Sequence, residues 1–185
     1  LSTLFDCKTN QMEFKNVEFG LNLNIPFPVK QFTKGLLYHY GKIFTSQRQQ
    51  AYWQCEHNNY IIKIYDKGSQ YGMSENVIRV EIKVTRMEEI KPIGIATFED
   101  INTSTLKKAY NHLLERFEEV VYYDRTIDKK HLTKIELIKI KEYSNQNYWM
   151  DLKSTLRDRP KKKLNVLIEN YSDRLKAQIR DAMME

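Results

Sequence analysis

The sequence has no long hydrophobic run. No apolar stretch approaches the roughly 18 residues that a transmembrane helix needs, so we expect no membrane partner. The N-terminus has neither the basic start nor the apolar block of a secretory signal peptide. It also does not begin with Met, so we expect residues upstream of Leu1.

Cysteine is scarce, and the histidines are scattered. Cys7 and Cys55 are too few for a disulfide framework and favour a reducing cytoplasm. No Cys/His cluster has the spacing of a zinc site. We therefore interpret the four histidines as structural or exposed rather than as metal ligands: His39, His57, His112 and His131.

The composition is that of a folded, basic protein. Hydrophobic residues make up 41% of the 185 residues and aromatics 12%, which excludes a disordered chain. Residues 1–124 carry 15 Lys/Arg and 15 Asp/Glu, whereas residues 125–185 carry 15 and 9 and so account for the whole net charge of +6. This division predicts a neutral α+β domain over 1–124 and a basic helical extension over 125–185 that binds a polyanion.

The stretch from Tyr60 to Arg86 organises the first domain. From Val77 onward apolar and polar residues alternate, which is the period of a half-buried strand, and Tyr60 to Asp66 forms a second strand-like run. The loop between them contains two glycines, so an antiparallel hairpin is the simplest connection. Such a hairpin places several polar residues on one open surface: Lys63, Tyr65, Lys67, Arg79, Glu81 and Lys83. The alternative is a solvated sheet face with cross-strand ion pairs.

Further elements complete an α+β fold. Residues 16–25 alternate strictly with Glu18 on the polar side, and a strand is predicted near 50–55. Apolar residues of VKQFTKGLLYHY, from Val29 to Tyr40, fall at helical spacing and predict a helix. A helix of about 18 residues, with Thr103 and Ser104 as capping residues, should cover the sheet. We thus expect a mostly antiparallel sheet of about four to five strands covered on one face by helices.

The chain from Arg125 onward is predicted to be helical. HLTKIELIKIKEY fits a helix or a strand, and we favour the helix. A break is expected at Pro160, followed by a long amphipathic run to the last residues. The loop at this break contains a basic cluster suited to phosphate contact, although an ordinary solvated loop has the same composition: Arg157, Arg159, Lys161, Lys162 and Lys163.

The central stretch resembles the rolling-circle replication initiators of plasmids and phages, particularly the trans-acting Rep type. The matching residues are Ile64-Tyr65-Asp66-Lys67 and Arg79-Val80-Glu81-Ile82-Lys83. The family also has a tyrosine 13 positions before the tyrosine of its YDK motif, and Tyr52 stands at that offset from Tyr65. The Gly-Ser segment that follows this tyrosine in the family is replaced here by WQCEHNN, and no His-hydrophobic-His metal motif is present.

The resemblance implies a nickase that initiates DNA replication. Tyr52 would attack origin DNA, single-stranded or supercoiled, and leave a 5′-phosphotyrosyl link, with Tyr65 as the alternative nucleophile. Mg²⁺ or Mn²⁺ would be held by carboxylates, first Glu81, then Glu18, then Asp66, for which capping of the loop is the alternative role. Arg79 and Lys63 would hold the scissile phosphate, or else pair with Glu81. Family members often act as dimers.

Two other functions remain open from the sequence. The chain could be a non-catalytic nucleic-acid-binding module of a phage or plasmid, with the same sheet and the same basic extension. It could also be an interaction domain of a mobile element, with aromatic residues in the core and charges for solvation. A nickase forms a covalent adduct with DNA, a binding module retains DNA in a salt-dependent way, and an interaction domain does neither.

Overall fold

A computed structural model describes residues 8–47 and 52–185, and its main element is a five-stranded antiparallel sheet. Cys7 and Ala51 lie outside the described residues. The spatial order of the strands is β1–β7–β6–β5–β4. Their bounds are β1 Val17–Asn24, β4 Thr45–Gln47, β5 Tyr52–Glu56, β6 Tyr60–Asp66 and β7 Val77–Val84.

The predicted hairpin forms, and its apolar residues face the core. Ile62 and Ile64 on β6 and Val80 and Ile82 on β7 are each at most 1% exposed, because alternate residues of a strand point to the same face. The connection contains a short helix, α2 (Lys67–Tyr71), whose first turn is capped by the side chain of the preceding Asp66. The prediction of an antiparallel sheet is confirmed.

A second sheet of three short strands replaces part of a predicted helix. Helix α1 (Val29–Thr33) ends before Gly35, and the chain continues as β2 (Leu36–His39) between β3 (Lys42–Ile43) and β8 (Val121–Tyr122). The prediction of a helix up to Tyr40 is therefore wrong. Leu36 packs in the core under the large sheet while Leu37 packs in a second core, so both faces of β2 are buried. A strand buried on both faces is apolar throughout, and such a run can mimic helical spacing.

Two helices cover the apolar face of the large sheet. Helix α3 (Thr103–Glu118) buries Leu113 and Phe117 there, and it is capped by Asn102, one residue before the predicted cap. The last helix, α7 (Leu175–Met184), buries Leu175, Ile179 and Met183 in the same core. The opposite face of the sheet carries the polar residues of the strands.

The other C-terminal helices surround the second core. They are α4 (Lys134–Tyr143), α5 (Gln146–Asp151) and α6 (Asp158–Tyr171), and the preference for a helix in HLTKIELIKIKEY is confirmed. Trp149 is fully buried at their centre and donates a hydrogen bond of 2.8 Å from Nε1 to the Tyr143 carbonyl. The expected break at Pro160 is wrong, because α6 already begins at Asp158 and proline is tolerated in a first helical turn.

Residues 125–185 thus contribute to both cores, since α7 packs under the large sheet and α4 to α6 form the second core. The division of the chain at residue 124 stays a prediction. Within the described ranges, no helix has the length and apolar character required to cross a membrane.

Candidate functional site

The uncovered face of the large sheet forms an open groove of about 960 Å³, here called the polar groove. Strands β1, β5, β6 and β7 supply its floor, and α1 and α2 supply its rim. Its residues are mostly charged or aromatic, with five cations and three carboxylates: Glu18, Asn22, Lys30, Lys34, Tyr52, Lys63, Tyr65, Asp66, Lys67, Ser69, Gln70, Arg79 and Glu81.

The strand register places these side chains in rows that cross the sheet. One row, here called the tyrosine row, consists of Asn22, Arg79, Tyr65 and Tyr52, which are paired on consecutive strands. The next row contains Gly20, Glu81, Lys63 and Gln54. Because neighbouring strands lie about 4.8 Å apart, Tyr52 stands about 10 Å from Arg79 along the tyrosine row.

Glu81 is the buried centre of the groove. Its carboxylate accepts hydrogen bonds from Lys63 Nζ at 3.2 Å, from Arg79 Nε at 2.5 Å and from the Tyr65 hydroxyl at 3.2 Å. The residue is 4% exposed, and its cross-strand partner is Gly20, where a Cβ would stand 2.5 Å from the Glu81 Cβ. A buried carboxylate needs such partners, since an unpaired one is strongly destabilising.

The same network holds its members in defined protonation states. Burial and the Glu81 charge raise the pKa of Tyr65 to about 12. Burial alone would lower the pKa of Lys63, but its hydrogen bonds to Glu18 and Glu81 outweigh this and raise it. For Glu18, the 3.0 Å contact from Lys63 and the charge of Lys83 outweigh burial and lower the pKa. Lys63 and Glu18 therefore stay charged at neutral pH.

The structure brings most of the predicted site residues together. Both candidate nucleophiles line the groove, and the ring centroids of Tyr52 and Tyr65 lie 6.5 Å apart in an edge-on arrangement. Arg79 also donates to Asn22 Oδ1 at 2.9 Å, and Lys83 lies beside the groove with its Nζ 3.5 Å from Glu18. The remaining predicted members of the sheet site also line it: Glu18, Lys63, Asp66, Lys67 and Glu81.

Sequence reasoning missed the cations on the rim of the groove. Lys30 lies in α1 and Lys34 directly follows it, and both side chains line the groove. Their spacing of four residues places them on one side of a helical turn, which was the available signal. The spacing does not show what α1 packs against, so it could not place these two lysines beside the groove.

The carboxylates, as arranged, do not fit a Mg²⁺ or Mn²⁺ site. Both oxygens of Glu81 are taken by Lys63, Arg79 and Tyr65, and those of Asp66 accept hydrogen bonds from the Ser69 amide and hydroxyl. Hard divalent ions need several oxygen ligands that converge. Over residues 8–47 and 52–185, the carboxylates of Glu18, Asp66 and Glu81 form no such convergent group.

The basic cluster of the C-terminal part lies outside the polar groove. It occupies the start of α6 rather than a loop, because only Arg157 precedes that helix. Arg157 lies over the Tyr38 ring at 4.9 Å, and Lys161 pairs with Glu119 at 2.9 Å. The other members are Arg159, Lys162 and Lys163, and DNA contact by this cluster stays a prediction.

A second cluster of reactive side chains lies on the opposite, helix-covered side of β5. His39 Nδ1 is 2.9 Å from His57 Nε2, which is 3.5 Å from Cys55 Sγ. His39 and Cys55 are fully buried, and His57 is half-buried and stacks on Tyr60 with centroids 4.6 Å apart. The sequence did not reveal this group, because His39 lies on β2 while Cys55 lies on β5 and His57 directly follows it. These two strands contact each other only in the folded chain.

Burial determines the charge of this cluster. It lowers the pKa of His39 to about 3, and it also lowers the pKa of His57. It raises the pKa of Cys55 to about 12. At neutral pH the group consists of two neutral imidazoles and a thiol.

Comparisons of the chain with protein-family models, with curated proteins and with solved structures give no match.

Proposed function

We propose that the polar groove binds a DNA strand that runs across the sheet and that Tyr52 cleaves it by forming a phosphotyrosine. The observation that carries this proposal is the tyrosine row, in which two phenols and a guanidinium stand on consecutive strands of an open face. Aromatic rings stack on bases, and cations bind the backbone between them, which is how single strands are held on open surfaces.

The network around Glu81 supports a role for Arg79 and Lys63 in positioning phosphate. Both cations are held in place by the buried carboxylate, so they lose little conformational freedom when they bind an anion. The groove has five cations against three carboxylates, and this excess favours a polyanion. Lys30, Lys34 and Lys67 extend the positive surface along the rim.

The proposed reaction exchanges one phosphate ester for another. The Tyr52 oxygen bonds to phosphorus, the bond from phosphorus to the 3′ oxygen breaks, and the phenol proton leaves to solvent while the 3′ oxygen gains one. The product is a 5′-phosphotyrosyl link and a free 3′-hydroxyl, which a polymerase can extend. The reverse attack rejoins the strand, because the phenol is a good leaving group. Tyr65 positions Glu81 and the Tyr52 ring rather than attacking, since burial and the Glu81 charge raise its pKa to about 12 and keep the phenol protonated.

This activity would serve the rolling-circle replication of a phage or plasmid in the cytoplasm of a bacterial host. The basic cluster at the start of α6 would contact DNA outside the groove, and two copies of the chain could share one origin. The resemblance at Tyr65-Asp66-Lys67 and Arg79–Lys83 supports this setting. A divalent ion belongs to the resembled chemistry, but the carboxylates of the groove, as arranged, do not fit one.

A second candidate is binding without cleavage. It is favoured by the complete neutralisation of Glu81, which leaves that carboxylate a structural centre with no free oxygen. The same groove would then be a platform for single-stranded nucleic acid.

A denaturing gel separates the two candidates. The full chain is incubated with circular single-stranded and with supercoiled DNA, in Mg²⁺, in Mn²⁺ and in a chelator. We expect an adduct that survives SDS, lost in Tyr52→Phe while DNA binding remains. The matched control is Tyr71→Phe, whose side chain is 62% exposed outside the groove, and it should form the adduct normally.

Other outcomes contradict the proposal in distinct ways. An adduct that persists in Tyr52→Phe and disappears in Tyr65→Phe moves the nucleophile to the neighbouring strand. Salt-dependent binding with no adduct on any substrate favours the binding platform. If the chain neither binds DNA nor forms an adduct, both candidates are wrong.

A further inference from the structure

We propose that His39, Cys55 and His57 form a binding site for a borderline or soft transition-metal ion, with Zn²⁺ as the natural probe. The site lies on the helix-covered side of β5, whereas the polar groove occupies the other side of the sheet. It therefore does not depend on the proposed DNA chemistry. Among the described residues, this is the one group of three or more His, Cys, Asp or Glu side chains whose ligand atoms all lie within 4.8 Å of one another.

Two of the three distances between donor atoms are close to those of a metal site. Zn²⁺ binds nitrogen at about 2.0 Å and sulfur at about 2.3 Å, so tetrahedral angles place two nitrogens about 3.3 Å apart and nitrogen and sulfur about 3.5 Å apart. The structure has His39 Nδ1 at 2.9 Å from His57 Nε2 and Cys55 Sγ at 3.5 Å from the same Nε2. Insertion of the ion requires the imidazoles to separate by about 0.4 Å.

Binding of an ion changes where the protons of the cluster lie. His39 Nε2 is buried, and it has no hydrogen-bond partner within the described part of the chain. In the metal-free cluster one proton lies between His39 Nδ1 and His57 Nε2. A metal needs the lone pairs of both His39 Nδ1 and His57 Nε2. When it binds, the imidazole that held the shared proton therefore carries this proton on its other ring nitrogen. The Cys55 thiol also loses its proton, so one proton is released for each ion bound.

The surroundings allow a cation to bind. Arg116 lies 4.9 Å from the centroid of the Tyr60 ring, on which His57 stacks, and its charge is balanced by Glu89 at 2.7 Å. His57 is half-buried, which gives the ion a path from solvent. The donor set of one thiolate and two imidazoles suits Zn²⁺ and the spectroscopic probe Co²⁺ and discriminates against Mg²⁺. Three protein ligands leave a fourth position for water or another small ligand.

The test uses the full chain after removal of metal with a chelator and titration with Co²⁺ and then Zn²⁺. Cys7→Ser leaves Cys55 as the single cysteine, so a thiolate-to-cobalt band in that variant identifies Cys55 without altering it. We expect one equivalent bound, intense visible bands of tetrahedral cobalt, displacement by Zn²⁺ and a rise in Tm of roughly 5–10 °C at a hundredfold excess over Kd.

Two variants locate the ligands, and one controls for surface binding. His57→Gln should bind no cobalt tetrahedrally, and Cys55→Ser should lose the thiolate band. His131→Gln should behave as the wild type, because the His131 side chain is 69% exposed beside Asp128. Cobalt bound without a thiolate band in Cys7→Ser, less than a tenth of an equivalent bound, or unchanged binding in His57→Gln would each overturn the site.

Discussion

Glu81 determines the chemistry of the polar groove because it is buried and accepts three donors. Lys63 and Arg79 neutralise it, and the Tyr65 hydroxyl completes its coordination. Tyr65 and Glu81 are therefore a coupled pair, in which the charge of the carboxylate affects the pKa of the phenol.

Replacing Glu81 by Gln should lower the pKa of Tyr65 from about 12, since the change removes the negative charge that opposes ionisation. The pKa is read from the Tyr65 Cζ chemical shift in protein with labelled tyrosine. Exposed Tyr71 provides the comparison in the same spectrum, and its shift should follow the same course in both proteins. An unchanged Tyr65 titration in Glu81→Gln would mean that the carboxylate does not control the phenol.

The raised pKa of Tyr65 also predicts how stability changes in alkali. Between about pH 10 and 12 the folded chain keeps the Tyr65 proton while the unfolded chain loses it. The free energy of unfolding should therefore fall as the pH rises above about 10. Urea unfolding at pH 8 and pH 10.5 should show a smaller loss in Tyr65→Phe than in the wild type, whereas Tyr71→Phe should match the wild type.

Alternation along the strands was enough to predict which residues share the groove. It placed Lys63, Tyr65, Arg79 and Glu81 on one face, and the structure has them there. Alternation does not show how deeply each side chain on that face is buried, so the burial of Glu81 could not be predicted. Gly20 on the neighbouring strand leaves room for the Glu81 side chain, which Lys63, Tyr65 and Arg79 then contact, and this depends on the pairing of β1 with β7.

Helix α7 is the element whose role was least visible in the sequence. Its apolar residues were predicted to belong to one long amphipathic run that begins in α6, but the chain breaks after Tyr171 and the two helices join different cores. Helix α7 packs under the large sheet beside α3, where the Tyr110 hydroxyl donates to the Met183 carbonyl at 2.8 Å. Lys176 fixes its other end by donating to the carbonyls of Glu118 and Val120, at 2.7 and 2.8 Å.

Ile179→Ala should lower the free energy of unfolding by about 3 kcal/mol, because Ile179 is fully buried in the core of the large sheet. Met184→Ala is the matched control, since that side chain is 55% exposed on the same helix, and it should change stability by less than about 0.5 kcal/mol. Urea unfolding measures both. If Ile179→Ala lowers the free energy of unfolding as little as Met184→Ala does, α7 is not part of the cooperatively folded core.

Strand β2 shows the limit of periodicity as a guide to secondary structure. Its four residues are all buried, and a continuous apolar run cannot distinguish a strand from a helix. Gly35 was the residue that could have indicated the end of the helix. A Cβ at this position would collide with the Tyr123 carbonyl and the Tyr122 ring, so the close approach of β8 requires glycine.

Charge is distributed over two separate surfaces of the molecule. The polar groove holds Lys30, Lys34 and Lys67 on its rim, and the basic cluster at the start of α6 lies elsewhere. The sequence predicted the second surface from its net charge, and it could not predict the distance between the two.

Neutralising the rim cations should weaken the salt dependence of DNA binding. A triple change of Lys30, Lys34 and Lys67 to Gln should reduce the slope of log K against log salt by about 2 for an oligonucleotide of about ten nucleotides, as three phosphate contacts are lost. The matched control removes the same charge from Arg159, Lys162 and Lys163. It should leave the short oligonucleotide unaffected and weaken only longer DNA. Equal effects of both triple changes on the short oligonucleotide would place its binding outside the groove.

The packing of α7 beside β1 has a consequence for how the chain is made. Among the described residues, 175–183 leave the ribosome after every other part of this core, yet they cover β1, which emerges before the other strands of the large sheet. Until they emerge, the part of the underside that α7 covers remains open to chaperones and to other nascent chains. Expression of fragments that stop before Leu175 should therefore yield aggregates, and the protein is best produced with this helix intact.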